Sequence, residues 1–155
     1  MDQQQIELVV FDWAGTTVDY GSSAPSAVFD RVFSASGIHL TRAEINAPMG
    51  MEKKAHIRQL LSCASGKKQW AEKYGRPWNE ADVERLYEEF EATLSQVVEE
   101  YSAPLPGVPE TVAALQEMGL KIGSTTGYNA RIMEQVIPKA KALGYPARCV
   151  ITPDV

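Results

Sequence analysis

The sequence contains little cysteine. Cys63 and Cys149 are the only two among 155 residues, and neither belongs to a CxxC pair. This spacing indicates neither a disulfide framework nor a zinc site. Scarce and unpaired cysteine favours a reducing compartment, and we therefore expect a cytoplasmic protein.

The sequence also lacks an excess of basic residues and any long apolar run. Its formal net charge is -5 and it has no basic stripe, which argues against a nucleic-acid partner. No apolar run approaches the roughly 20 residues that span a bilayer, and the first ten residues do not have the pattern of a leader. We expect a globular protein with no nucleic-acid or membrane partner.

The first pattern that is present is an apolar strand that ends in a carboxylate. Residues 6–11 are mostly β-branched or aromatic and predict a strand buried on both faces, and Asp12 follows directly. In α/β proteins, ligands bind at the carboxyl ends of such strands. Gly15 permits a tight turn there, and the amides and hydroxyls of Gly15, Thr16 and Thr17 are candidates for an anion site. The alternative is an ordinary turn-forming aspartate.

The middle of the chain carries only helical patterns. Apolar residues recur there every three or four positions, and a capping box stands at Thr41–Glu44. Beyond a proline-rich segment at Ser102–Pro109, helix and strand patterns alternate, which is typical of a parallel sheet with crossover helices. The sequence therefore predicts an α/β fold. Its Rossmann-like parallel-sheet core comprises residues 1–20 and 105–155, and an all-helical cap is inserted at residues 21–104.

A second strand, predicted at Leu120–Thr125, also ends in polar residues. Thr126, Gly127 and Tyr128 follow it, and the carboxyl ends of parallel strands share one edge of a sheet. A carboxylate beside threonine hydroxyls and a glycine suits a phosphoryl group that is attacked at phosphorus. The alternative is that these residues only turn the strand into the next helix.

Two motifs and the helical insertion together resemble a known superfamily. The strand ending in Asp12-Trp13-Ala14-Gly15-Thr16 and the later strand ending in Ser-Thr-Thr-Gly-Tyr are similar to those of the haloacid dehalogenase superfamily, and within it to the phosphonatase family. Most phosphatases of that superfamily have a second aspartate where this chain has Ala14. The resemblance covers the entire chain but only the N-terminal part of the family pattern. We therefore expect an inactive fragment without the C-terminal strands, the further Mg²⁺ carboxylates and the phosphate-binding cation.

The resemblance points to Lys53 as a second reactive group. Because Ala14 cannot protonate a departing oxygen, the leaving group would depart as carbon, and a protonated imine on Lys53 would accept its electron pair. Met49, Lys53 and His56 stand at i, i+4 and i+7, on one predicted helix face. Met49 would shield the amine from water, and His56 would donate or accept a proton. The alternative is that Lys53, beside Lys54, is a solvated surface charge.

The resemblance implies a hydrolase that cleaves the carbon–phosphorus bond of phosphonoacetaldehyde, a small-molecule substrate, to acetaldehyde and phosphate. Asp12 would attack phosphorus, and Mg²⁺ would bind the Asp12 carboxylate and the Ala14 carbonyl. The cap would support a homodimer. Two alternatives stay open: a phosphomonoesterase or sugar phosphomutase of the same superfamily, and a non-catalytic fragment. The resemblance also assigns substrate binding to Met49, Gly50, Thr126, Gly127 and Tyr128.

Overall fold

The structure, a computed structural model, describes residues 6–146 and 149–154. The chain divides into a core unit of residues 1–23 and 98–155 and a helical unit of residues 24–97. The strands are β1 (Leu8–Phe11), β2 (Lys121–Thr125) and β3 (Val150–Ile151), and the α-helices are α1 (Ser23–Ala35), α2 (Arg42–Asn46), α3 (Lys53–Ser62), α4 (Ala64–Tyr74), α5 (Glu80–Val97), α6 (Val108–Glu117) and α7 (Ala130–Ala142), with short 3-10 helices at Tyr20–Ser22 and Val98–Tyr101.

The core unit is built on a parallel sheet with the strand order β1-β2-β3. Leu8 pairs with Lys121 and Phe11 with Ser124, and Ser124 also pairs with Val150. Parallel strands need long connections rather than hairpins, and long connections that contain helices join the strands here. The predicted α/β fold is confirmed. This register brings the residues that follow β1 and those that follow β2 to the same edge of the sheet.

The two faces of the sheet differ in burial. Leu8 and Val10 of β1 are 51% and 52% exposed, whereas Ile122 and Ser124 of β2 are buried. Helix α6 packs on β2. Right-handed crossovers that advance across a sheet in one direction place their helices on one face, which explains why the opposite face is open. The prediction of a first strand buried on both faces is therefore wrong for this chain.

The helical unit, residues 24–97, is described throughout and contains helices and no strand, as the sequence predicts. Helix α3 packs on α4 and on α5. The predicted capping box is confirmed: the Thr41 hydroxyl accepts from the Glu44 amide at 3.2 Å, and the Glu44 carboxylate accepts from the Thr41 amide at 2.7 Å. Asn79 caps α5 by accepting from the Asp82 amide at 3.2 Å. Across the described residues, no helix is both long and apolar enough to cross a membrane.

Candidate active site

Asp12 lies directly after β1 and is exposed. The loop that follows it is anchored in the interior of the core unit by Trp13, which is fully buried. The Trp13 ring packs edge-on against the Tyr145 ring, with 5.0 Å between the ring centroids. The Thr17 hydroxyl donates to the Asp12 carbonyl at 3.0 Å. The backbone of Asp12 is thus fixed while its carboxylate faces solvent, the arrangement that a nucleophile requires.

The amides of the loop are already occupied by backbone acceptors. Gly15 N–H donates to the Val18 carbonyl at 2.8 Å, and the amides of Thr16 and Thr17 both donate to the Trp13 carbonyl, at 3.0 and 2.8 Å. An amide that closes a turn cannot also hold an anion with full strength. The amide part of the anion site predicted at Gly15, Thr16 and Thr17 is therefore wrong, and the part that concerns the hydroxyls stays a prediction. These amides hold the loop in shape instead.

The end of β2 supplies the second part of the site in the core unit. Phe11 pairs with Ser124, so Asp12 and the residues after Thr125 follow neighbouring strands. The Thr126 hydroxyl accepts from the Tyr128 amide at 3.1 Å. Tyr128 is buried; burial raises the pKa of its hydroxyl, and the charges of Asp19 and Asp12 raise it further. Tyr128 therefore stays protonated and lies within electrostatic reach of Asp12.

Sequence reasoning missed two residues beside this loop. Tyr145 is fully buried against Trp13, and burial raises the pKa of its hydroxyl. Ser22 donates from its hydroxyl to the Ala14 carbonyl at 2.9 Å. A pattern search would not find either contact, because Tyr145 lies far from Trp13 in the sequence and Ser22 belongs to a short polar segment typical of a connection between elements. Only the glycine before each residue hints at a turn.

In the helical unit, the neighbours Lys53 and Lys54 differ sharply. Lys53 is buried at the start of α3, with 8% of its surface exposed. Lys54 is partly exposed, and its ammonium group lies 2.7 Å from a Glu84 carboxylate oxygen and 4.9 Å from the centre of the Tyr87 ring. Lys54 is thus ion-paired at the surface. Lys53 does not fit the alternative of a solvated surface charge.

His56 lies on the same side of α3, three residues after Lys53, and is fully buried. Its Nε2 lies 2.8 Å from the Ile45 carbonyl oxygen, and its ring stacks on Phe29 at 4.0 Å. Because a carbonyl only accepts, Nε2 carries the proton. Burial lowers the pKa of His56 to about 4, against the opposing effect of the Ile45 carbonyl and helped by the nearby Lys53 charge. His56 is therefore neutral at pH 7, and its Nδ1 is a buried acceptor without a hydrogen-bond partner among the described residues.

Met49 does not share the helix face of Lys53 and His56. Helix α3 begins at Lys53, since the Glu52 carboxylate caps it by accepting from the amides of Lys54 and Ala55. Met49 and Gly50 lie in the preceding turn; Met49 is half-buried, and Gly50 is exposed with φ +96°. The predicted helical spacing of Met49 is therefore wrong, because the cap starts a new helix after it.

The residues predicted to hold Mg²⁺ are hard oxygen donors. Asp12 offers an exposed carboxylate, and the Ala14 carbonyl accepts one hydrogen bond, from Ser22, which leaves a second lone pair. In the described part of the chain, no three histidine, cysteine or acidic side chains are grouped to hold a metal ion. An exposed carboxylate and a backbone carbonyl are oxygen donors of the kind that Mg²⁺ takes, since this ion usually binds one or two carboxylates and keeps several waters.

Comparison with known proteins identifies the fold family. A family model described as a haloacid dehalogenase-like hydrolase matches residues 6–154, nearly the whole chain. The chain belongs to the haloacid dehalogenase-like hydrolase family. In this chain, the exposed Asp12 lies at the carboxyl end of the first strand of the parallel sheet.

The relatives share a more specific name. A phosphonoacetaldehyde hydrolase from Bacillus cereus is 44% identical over 150 residues, which are 97% of this chain and 57% of the relative. A bifunctional phosphonoacetaldehyde hydrolase/aminoethylphosphonate transaminase from Clostridioides difficile is 47% identical over 151 residues, 97% of this chain and 24% of the relative. The crystal structure of a phosphonoacetaldehyde hydrolase-like protein from Oleispira antarctica superposes with a TM-score of 0.93 at 36% identity, over 96% of this chain and 54% of that one. The chain thus spans little more than half the length of the Bacillus cereus relative.

Proposed function

We propose that the protein cleaves the carbon–phosphorus bond of phosphonoacetaldehyde to give acetaldehyde and inorganic phosphate. The observation that carries this proposal is the burial of Lys53, with 8% of its surface exposed, at the start of α3. Burial takes a lysine head group away from water, which is the setting in which lysine serves as an imine-forming nucleophile. The names of the relatives from Bacillus cereus and Clostridioides difficile support the same substrate.

The proposed reaction begins at the aldehyde. The Lys53 amine adds to the carbonyl carbon, and water leaves to form a protonated imine. An Asp12 oxygen then attacks phosphorus; the phosphorus–carbon bond breaks, and its electron pair moves into the imine to give an enamine. Protonation of the enamine carbon and hydrolysis of the imine release acetaldehyde and Lys53. Water cleaves the aspartyl phosphate to phosphate and Asp12, so every atom is accounted for.

The absence of an acid at position 14 agrees with this reaction. The departing group is carbon whose charge is delocalised into the imine, so no side chain has to protonate an oxygen at the step of bond cleavage. Ala14 in place of an aspartate weakens the alternative of a phosphomonoesterase or sugar phosphomutase, which expels an oxygen. Phosphate release from sugar phosphates, measured beside release from phosphonoacetaldehyde, separates the two.

His56, Tyr128 and the metal ligands have supporting roles in the proposal. Neutral His56 has its only ring proton on Nε2, bonded to Ile45, so it would accept a proton at Nδ1 rather than donate one. Thr126 and Gly127 would contact the phosphoryl group, and the protonated side chain of Tyr128 would line the site beside Asp12. The Asp12 carboxylate and Ala14 carbonyl would hold Mg²⁺, which when bound offsets negative charge on the phosphoryl oxygens.

Met49 and Gly50, in the turn before α3, would contact the substrate without the helical alignment expected for Met49. We propose a homodimer formed through the helical cap and a cytoplasmic location. The proposed mechanism requires Lys53 of the helical unit and Asp12 of the core unit to reach the same substrate molecule.

Trapping the imine tests the proposal. Borohydride added to the full-length protein with phosphonoacetaldehyde should reduce the imine and attach a two-carbon or phosphonoethyl group to Lys53, which peptide mass spectrometry would locate. Lys54→Arg is the matched control, because it keeps the surface charge beside Glu84 and should be labelled normally. Lys53→Arg should not be labelled and should lose several orders of magnitude in rate, since a guanidinium does not condense with the aldehyde. Label on Lys54, or on no lysine, would refute the assignment.

A further inference from the structure

The peptide group between Ala14 and Gly15 is held at both of its polar ends. Its carbonyl oxygen accepts from the Ser22 hydroxyl at 2.9 Å, and its N–H donates to the carbonyls of Val18 at 2.8 Å and Asp19 at 3.0 Å. Gly15 has φ +86°, and because glycine has no Cβ it restricts rotation of the preceding peptide less than other residues do. The hydrogen bonds therefore select one orientation of the Ala14 carbonyl, which the backbone conformation alone would not fix.

Ser22 makes this contact from an unfavourable backbone conformation. The φ of Ser22 is +54°, in the left-handed region that favours glycine. Ser22 is also buried, with 9% of its surface exposed. Its amide donates to the Asp19 carbonyl at 3.0 Å. A Cβ on Gly15 would lie 2.6 Å from the Ser22 hydroxyl oxygen, so the two segments touch closely. A strained residue whose side chain reaches across to another loop is a candidate for a functional role.

We propose that Ser22 is a positioning residue for the cation: its hydroxyl occupies one lone pair of the Ala14 carbonyl and holds the other in the orientation that Mg²⁺ requires. This inference rests on the proposed function, in which Asp12 and the Ala14 carbonyl bind that ion. Mg²⁺ demands near-ideal octahedral geometry, whereas Ca²⁺ accepts flexible coordination. Loss of the Ser22 hydroxyl therefore weakens Mg²⁺ more than Ca²⁺.

The test is a pair of substitutions that differ in strain but not in the missing hydroxyl. Ser22→Gly removes the hydroxyl and relieves the positive φ, so its Tm changes little; Ser22→Ala removes the hydroxyl and keeps the strain, so its Tm falls. Both should weaken Mg²⁺ binding to the full-length protein by the same factor, about 2- to 10-fold, as expected for one neutral hydrogen bond. Titration calorimetry with MgCl₂ and with CaCl₂, without substrate, measures this directly.

The control is Ser23→Ala, which removes a hydroxyl that donates to the Tyr20 carbonyl at 2.7 Å in the same segment and should leave the Kd for Mg²⁺ unchanged. An unchanged Kd in Ser22→Gly, or a loss of affinity that follows Tm across the two variants, would overturn the role of Ser22. Asp12→Asn separates this failure from that of the proposed site. If Asp12→Asn abolishes Mg²⁺ binding while Ser22→Gly does not weaken it, only the Ser22 inference is wrong. If Asp12→Asn binds Mg²⁺ normally, or the unmodified full-length protein binds none, the proposed metal site is wrong and this inference with it.

Discussion

The buried imidazole of His56 should make the helical unit about 2 kcal/mol less stable at pH 5 than at pH 7. Burial lowers the pKa of His56 to about 4 in the folded chain, against about 6.5 in an unfolded one. The unfolded state therefore takes up a proton as the pH falls below 6.5, while the folded state does not until about pH 4. Stability is present in full above pH 6.5 and is lost progressively on acidification.

The magnitude follows from the two pKa values. At pH 5 nearly every unfolded chain carries the proton and about one folded chain in ten does, so the free energy of unfolding falls by about 1 kcal/mol per pH unit there. The accumulated loss reaches about 3 kcal/mol by pH 4. The carboxyl groups with lowered pKa values, Glu44, Glu80 and Asp82, lose their stabilising effect only below their ordinary pKa values near 4. The interval from pH 7 to pH 5 therefore isolates His56.

Urea unfolding followed by circular dichroism at 222 nm measures the effect, because most of the helix lies in this unit. His56→Phe keeps a ring against Phe29 and removes the titration; it should be less stable at pH 7, since the Ile45 carbonyl loses its donor, but should show no loss between pH 7 and pH 5. His39→Asn is the matched control, since His39 is exposed and is the other of the two histidines in the chain. Unchanged stability of the parent chain from pH 7 to pH 5, or loss of the pH dependence in His39→Asn, would refute the reasoning.

Two further variants test the fold. Leu8→Thr combined with Val10→Thr should lower the fluorescence of bound anilinonaphthalene sulfonate, because both side chains are about half exposed on one sheet face; unchanged dye binding would show that this face is not the apolar surface of the chain. Gly66→Ala should destabilise the helical unit by more than about 2 kcal/mol in urea, because a Cβ there would overlap the Leu60 carbonyl oxygen. A loss below about 0.5 kcal/mol would contradict that packing.

Periodicity and turn residues predicted the elements because local patterns determine them. The apolar run before Asp12 and the polar residues after Thr125 were enough to place both groups at one edge of a parallel sheet, since all strands of such a sheet point their carboxyl ends the same way. The helical insertion followed equally from spacing. The family resemblance added Lys53, which its own helix did not distinguish from Lys54.

The errors arose where a contact depends on the assembled structure. A run of apolar residues indicates burial, but whether one face or both are covered depends on the direction in which the crossovers advance. Loop amides look available in a sequence, yet those of Thr16 and Thr17 are used by the Trp13 carbonyl. The helical spacing of Met49 failed because Glu52 caps α3, and glutamate is not among the preferred capping residues.

The two adjacent lysines show how the fold makes one of two identical side chains chemically distinct. Successive residues on a helix point about 100° apart, so one of a pair can face the interior while the other faces water. Lys54 forms an ion pair with the Glu84 carboxylate at the surface and lies over the Tyr87 ring. Lys53 is buried beside His56, whose pKa is lowered to about 4 by burial. In the proposed reaction, the selectivity for Lys53 over Lys54 would follow from which side of α3 packs inward, and that side is set by the apolar spacing of the helix.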